Sequence, residues 1–137
     1  MAEQSVEVVK STYEAFGRGD VPAVLGGMAE DIEWYEADGM PYGGLHRGPE
    51  AVAQNVFGPI TEDVADFAVT PEEFIVSGDT IAVVARYTGS GKSTGKELDL
   101  PAVHVFDVSN GKIARFRQFI DTAKYLEVVP ADVSVAA

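Results

Sequence analysis

The sequence predicts a single α+β domain: helices in its N-terminal part, then a strongly curved antiparallel sheet wrapped around a long first helix as a cone-shaped barrel. Three observations predict it. Apolar residues recur at helical spacing in the first third of the chain, and after Val64 the period drops toward two. Asn110-Gly111 then joins two β-rich runs, and this dipeptide suits a tight type I′ hairpin. A chain of 137 residues matches the size of one domain.

From Ser5 to Arg18, Val6, Val9, Tyr13 and Phe16 form one apolar stripe, and Gly17 and Gly19 in the following GRGD stop the helix. Asp20 is placed to cap a second short helix running to Met28, with Pro22 tolerated in its first turn. Ile32 to Glu36 alternates apolar and polar as a strand does. Ala37 to Gly48 holds Gly39, Pro41, Gly43, Gly44 and Gly48, which predicts a loop. Pro49 opens a third helix to Phe57 with Val52, Val56 and Phe57 on its buried stripe, and Gly58-Pro59 is expected to end it.

Strands are predicted at Phe67–Val69, Phe74–Val76, Ile81–Thr88, Leu98–Val108 and Ile113–Asp121. The GSGKST segment, Gly89 to Thr94, lacks the first glycine of a phosphate-binding loop, since Arg86 stands there, and no helix follows it; it reads as a hairpin turn. Counting back from Asn110-Gly111 pairs Ser109 with Lys112, Phe106 with Arg115, His104 with Arg117, Ala102 with Phe119 and Leu100 with Asp121. On that register these side chains share one face, while Val103, Val105, Ala114, Phe116 and Ile120 form an apolar packing face interrupted by Asp107 and Gln118. The tail from Pro130 is small-residue and terminal, and is expected to be flexible or packed on a partner.

Composition removes several classes of function. The formal charge of -12 repels phosphate backbones, so nucleic acid is not an expected partner. With no cysteine there are no disulfides, thiolate nucleophiles or Cys-ligated zinc, which fits the cytoplasm. The N-terminal MAEQSVEVVK has no apolar core and no later run approaches a membrane span, so neither secretion nor a membrane is expected. His46 and His104 lie in no metal-ligand spacing, and no GxSxG elbow is present. The reading calls for no cofactor and no metal.

The face carrying His104, Arg117, Phe119 and Asp121 combines a proton-transfer group, a cation and a carboxylate with apolar neighbours, which are the ingredients of a small-molecule acid–base pocket. The competing reading makes this face solvated and His104–Arg117 an ordinary cross-strand pair. Trp34 and Tyr35 on the first strand and Tyr42 in the loop either line a pocket or belong to the core, and Trp34 is the one favoured for the pocket.

The first helix, GRGD, the second helix, IEWYEADGMPYGGLHRGPEAV and VHVFDVSNGKIARFRQFID occur in an order that resembles the SnoaL-like branch of the nuclear-transport-factor-2 and ketosteroid-isomerase superfamily, over roughly residues 5 to 126. The resemblance implies the cone, a pocket between sheet and helices, and a homodimer through the sheet. It implies that Asp121 acts as acid and base, with His104 as a pocket histidine. The steroid-isomerase pattern is matched poorly: Thr12 and not Tyr13 falls at its tyrosine position, and Asp38 meets its base position only with a one-residue shift. Arg117, Trp34, Phe119, Tyr13, Asp38 and Tyr42 are the expected substrate-contacting residues.

Two functions follow. One is an isomerase-, cyclase- or hydratase-type enzyme acting on a small apolar oxygenated molecule. The other is a non-catalytic binding or structural homodimer of the same fold.

Overall fold

In the computed structural model, which describes residues 2–130 and side chains from Gln4 onward, the chain runs α1 (Ala2–Gly17), α2 (Val21–Gly26), β1 (Met28–Glu36), β2 (Gly44–Arg47), α3 (Pro49–Val52), a π-helical turn (Ala53–Phe57), α4 (Gly58–Asp63), β3 (Val64–Ser77), β4 (Thr80–Gly91), β5 (Glu97–Ser109), β6 (Lys112–Ile120) and α5 (Thr122–Val128). Positions 131–137 of the predicted tail lie outside the described residues.

The six strands form one curved sheet in the order β2-β1-β6-β5-β4-β3. The sheet is mixed, not antiparallel throughout, because β1 runs parallel to β6, with Trp34 opposite Phe116. Side-chain alternation sets which face a strand buries but says nothing of its direction, so this pairing was invisible in the pattern. The inner face receives α1, which touches β3, β4, β5 and β6. Val9, Ile32, Val52, Ile81, Val83, Leu98 and Ile113 are fully buried there. Each such side chain removed from water contributes about 1.5–3 kcal/mol.

Helix starts and turns follow local chemistry. Asp20 accepts from Ala23 N–H at 3.2 Å and caps α2, which ends at Gly26. Asn110 and Gly111 both take positive φ, 53° and 75°, as a type I′ turn demands. Lys92–Lys96 turns the β4–β5 hairpin, closed by Gly91 N–H to Lys96 O at 2.9 Å.

Several predicted boundaries move. The loop after β1 contains β2, which pairs Trp34 with His46. Gly58-Pro59 does not end the third helix. The chain stays helical through a π turn, in which Gly58 N–H donates to Ala53 O, and Pro59, which has no N–H to donate, follows directly in α4. The runs at Phe67–Val69 and Phe74–Val76 are one strand, β3, with register shifts between Ala65 and Ala68 and around Pro71 to Glu73. β3 ends the strand order, so Pro71 is accommodated on an edge strand.

The register of β5 against β6 changes most. Ser109–Lys112 and Val108–Ile113 pair as counted, but Asp107 then faces Arg115, leaving Ala114 as an extra residue. Beyond this bulge Phe106 faces Phe116, Val105 faces Arg117, His104 faces Gln118, Val103 faces Phe119 and Ala102 faces Ile120. A one-residue slip turns every later side chain of β6 over. Phe116 and Gln118 therefore point inward beside His104, and Arg117 and Phe119 point outward.

Candidate functional site

A cavity of about 60 Å³ opens between α1, the α3–α4 region and the inner face of the sheet. Its wall is mostly aromatic: Phe16, Trp34, Phe57, Phe67, Phe106 and Phe116, with Trp34 stacked on Phe116 at 3.7 Å between ring centres. Five polar side chains interrupt it: Thr12 and Tyr13 from α1, Glu36 from β1, Tyr87 from β4 and His104 from β5, with the Tyr87 hydroxyl beside His104. Thr12 is spent locally, donating to Val8 O at 3.0 Å.

Glu36 reaches the cavity because it continues the alternation of Ile32 and Trp34 along β1, so the strand that buries the indole also buries the carboxyl. Its side chain is 4% exposed. Oε1 accepts from Trp34 Nε1 at 2.8 Å, while Oε2 is buried without a hydrogen-bond partner among the described residues. Burial pushes the carboxyl up to about 7; the indole N–H and the nearby Gln118 amide oppose that rise, although no hydrogen bond from the amide reaches Oε2. A carboxyl poised there exchanges protons readily at neutral pH.

His104 is held between two phenols, with Nδ1 2.7 Å from Tyr13 Oη and Nε2 2.6 Å from Tyr87 Oη. Burial drives its pKa down to about 3, so the ring is neutral. Burial likewise raises the Tyr13 and Tyr87 hydroxyls, which remain protonated. Gln118 extends the chain, donating from Nε2 to Tyr87 Oη at 2.8 Å and accepting the Ala37 N–H at Oε1 at 3.0 Å. The cavity thus joins one carboxyl with a free oxygen to a set of neutral hydrogen-bonding groups in an aromatic shell.

A model of the SnoaL-like domain matches residues 9–116, from the first helix to the strand that carries Phe116. The chain belongs to the SnoaL-like family. Among solved structures, an NTF2-like protein of unknown function from Burkholderia pseudomallei is 33% identical, with TM-score 0.86 over 93% of this chain and 98% of that one. TerC, co-crystallized with polyporic acid, is 25% identical, with TM-score 0.84 over 91% of this chain and 97% of that one. An uncharacterized protein of Mycobacterium tuberculosis is 26% identical over 117 residues, 85% of this chain and 88% of its own length.

Within this SnoaL-like fold the residues predicted from sequence divide sharply. His104, Trp34 and Tyr13 line the cavity. Asp121 does not: it is exposed and caps α5, accepting the Lys124 N–H at 3.1 Å. Arg117 and Phe119 lie on the opposite face of the sheet because of the bulge at Ala114, and Phe119 is 54% exposed. Asp38 is exposed in the turn after β1. Tyr42 is buried elsewhere, donating to Asp63 Oδ2 at 3.2 Å and paired with Tyr125 Oη at 2.6 Å, a cluster that ties the loop after β1 to α5.

Sequence reasoning missed Glu36, Tyr87 and Gln118. Glu36 carried a usable signal, since a carboxylate at the third position of the Ile32-Trp34-Glu36 alternation belongs to the buried face. Tyr87 carried a weaker one, sharing a face with Val83 and Ala85 on β4. Gln118 carried none once the register was misread.

Proposed function

We propose that this SnoaL-like protein is a cofactor-independent acid–base enzyme of the isomerase, cyclase or hydratase type. Glu36 is the group that takes and returns a proton on a small, apolar, oxygenated substrate, in place of Asp121. The observation that carries this reading is the buried Glu36 carboxyl with one oxygen free in an aromatic cavity. Its Oε1 is fixed by Trp34, so Oε2 is the atom that moves the proton. Tyr13, neutral and facing the same cavity, is the group that polarises a substrate oxygen as charge develops on it. That TerC was co-crystallized with polyporic acid fits a small-molecule cavity in this fold.

The test is proton exchange at the carbon next to a carbonyl, followed by NMR in D2O with a panel of small ketones and enones. Wild type is expected to speed exchange above buffer, and Glu36→Gln to lose at least ~100-fold of that rate. A wild type that exchanges no substrate of the panel while binding its members favours the non-catalytic reading.

A homodimer through the outer sheet face is part of the same proposal. Ile75, Ala82, Val105, Arg117, Tyr35 and Leu45 are successive register partners across all six strands, one outward row that is apolar except for Arg117. Ile75 is 51% exposed, and Phe119 stands beside the row. Among the described residues the Arg117 Nε is buried without a partner, as expected of a guanidinium completed by a second copy. Sedimentation of wild type against Phe119→Glu measures it: a dimer that the variant dissociates supports the proposal, and a monomeric wild type overturns it.

A further inference from the structure

The hydrogen-bond chain from Gln118 to Tyr13 has a direction, and its fixed end is a backbone group. The N–H of Ala37 can only donate, so it is the amide oxygen of Gln118 that faces it at 3.0 Å. The Gln118 nitrogen therefore faces Tyr87 Oη, at 2.8 Å, and can only donate to it. Tyr87 has then accepted one bond, and its own proton has Nε2 of His104 at 2.6 Å as acceptor.

The opposite arrangement leaves a defect. If Nε2 carried the proton, Tyr87 Oη would accept from both Gln118 and His104. Its hydroxyl proton would be stranded in a side chain 4% exposed, and a buried donor left without its hydrogen bond is costly. With Nε2 accepting, the neutral imidazole holds its proton on Nδ1 and donates to Tyr13 Oη at 2.7 Å. Among the described residues Tyr13 Oη has no second partner, and Tyr13 lines the cavity. Its proton is the free end of the chain.

We infer that Gln118, acting through Tyr87 and His104, fixes Tyr13 as a hydrogen-bond donor into the cavity, and that the pocket selects a small carbonyl compound whose oxygen accepts from it. The substrate class deepens the acid–base reading and rests on it; the direction of the chain does not. A carbonyl oxygen on Tyr13 is an acceptor meeting a donor, and it leaves the neighbouring carbon for Glu36. A ligand that offers only donors at that end would leave the Tyr13 proton without an acceptor. Gln118 is a positioning residue: it lies two side chains away from Tyr13 and acts by setting the tautomer of His104.

The second histidine supplies an internal reference. His46 Nε2 lies 2.8 Å from the carbonyl oxygen of Tyr42, which can only accept, so the neutral His46 carries its proton on Nε2. The chain's two histidines are thus expected in opposite tautomers.

Long-range ¹H–¹⁵N NMR on the ¹⁵N-histidine-labelled protein at a pH of about 8.5, where an imidazole is ordinarily neutral, reads both directly. His46→Gln assigns the two spin systems. The expected result is an Nδ1–H pattern for His104 and an Nε2–H pattern for His46; an Nε2–H pattern for His104 in wild type overturns the inference without any variant. Gln118→Leu, if it folds, is expected to give His104 in mixed tautomers, and an unchanged Nδ1–H pattern would remove Gln118 from its role.

For the ligand, ¹³C-carbonyl-labelled cyclohexanone is titrated into wild type. A downfield carbonyl shift on binding, lost in Tyr13→Phe with affinity about 10-fold weaker, supports the inference; no binding or an unshifted carbonyl overturns the substrate class. A bound, shifted ketone whose α-protons do not exchange sinks the acid–base reading and leaves standing the direction of the chain and the carbonyl contact at Tyr13.

Discussion

Glu36 and Asp121 occupy similar places in the sheet, one closing β1 and the other directly following β6, yet the fold gives them opposite environments. Glu36 is 4% exposed, bonded through one oxygen to an indole, and free at the other. Asp121 is exposed and spends a carboxylate oxygen on the first turn of α5. What separates them is where the strand's alternation points and what the chain does next. Burial with one oxygen left unpaired makes a proton carrier, whereas at a helix N-terminus the carboxylate serves as a cap.

The largest expected effect is on turnover. Glu36→Gln keeps the shape and the hydrogen bond from Trp34 but cannot exchange a proton, so the rate should fall by ~10²–10⁴-fold with substrate affinity little changed. Asp121→Asn should leave turnover within about 2-fold, since Asn also caps helices and the group lies outside the cavity. Steady-state kinetics on the two variants decide between them. A large loss in Asp121→Asn with a normal rate in Glu36→Gln would reverse the assignment.

The comparison also shows what could be read in advance. The amphipathic α1, the α2 cap, the hairpin at Asn110-Gly111 and the change of period near Val64 are local signals that a single sequence carries, and the structure has all of them. The bulge at Ala114 has no such signature, because the extra residue is an ordinary alanine and its cause is tertiary: β6 must also pair with β1 and stack Phe116 on Trp34. That one residue moved Arg117 and Phe119 out of the predicted pocket and turned Gln118 inward, onto Tyr87. The helix after Asp121 was not anticipated either, and with it went the reason for the aspartate. Its docking is long-range, through the buried Tyr125 and through Val128, which meets β4 at Gly91, where a side chain would collide with the Val128 carbonyl.

A second expected effect lies in stability against pH. Glu36 titrates at about 7 in the folded chain and near 4.3 unfolded, so the folded state holds the extra proton between those values. Its ionisation therefore removes stability as pH rises through that window, on the order of 4 kcal/mol in all. His104 titrates at about 3 in the folded chain and near 6.5 unfolded, so the unfolded state holds the extra proton and stability rises with pH there. Between about pH 4.3 and 6.5 the two slopes oppose each other, at ~1.4 kcal/mol per pH unit each. Urea unfolding of Glu36→Gln should show a rise with pH across this range steeper than wild type by one proton's worth. Parallel pH profiles for wild type and Glu36→Gln would mean that Glu36 is not the buried acid described.

The smallest effect separates the cap from the charge at Asp121. The oxygen that accepts the Lys124 N–H can come from Asp or Asn but not from Ala. Asp121→Ala should therefore lower stability by about 1 kcal/mol, while Asp121→Asn stays within a few tenths. Because Thr94 also holds the far end of α5 through Val128 O at 2.7 Å, the helix has a second anchor. Loss of the cap should then be read mainly as faster amide exchange in its first turn, at Ala123 and Lys124, with little change at Tyr125. Equal losses of stability in Asp121→Ala and Asp121→Asn would point to the carboxylate charge, and the contrast with Glu36 would then lie in charge and not in capping.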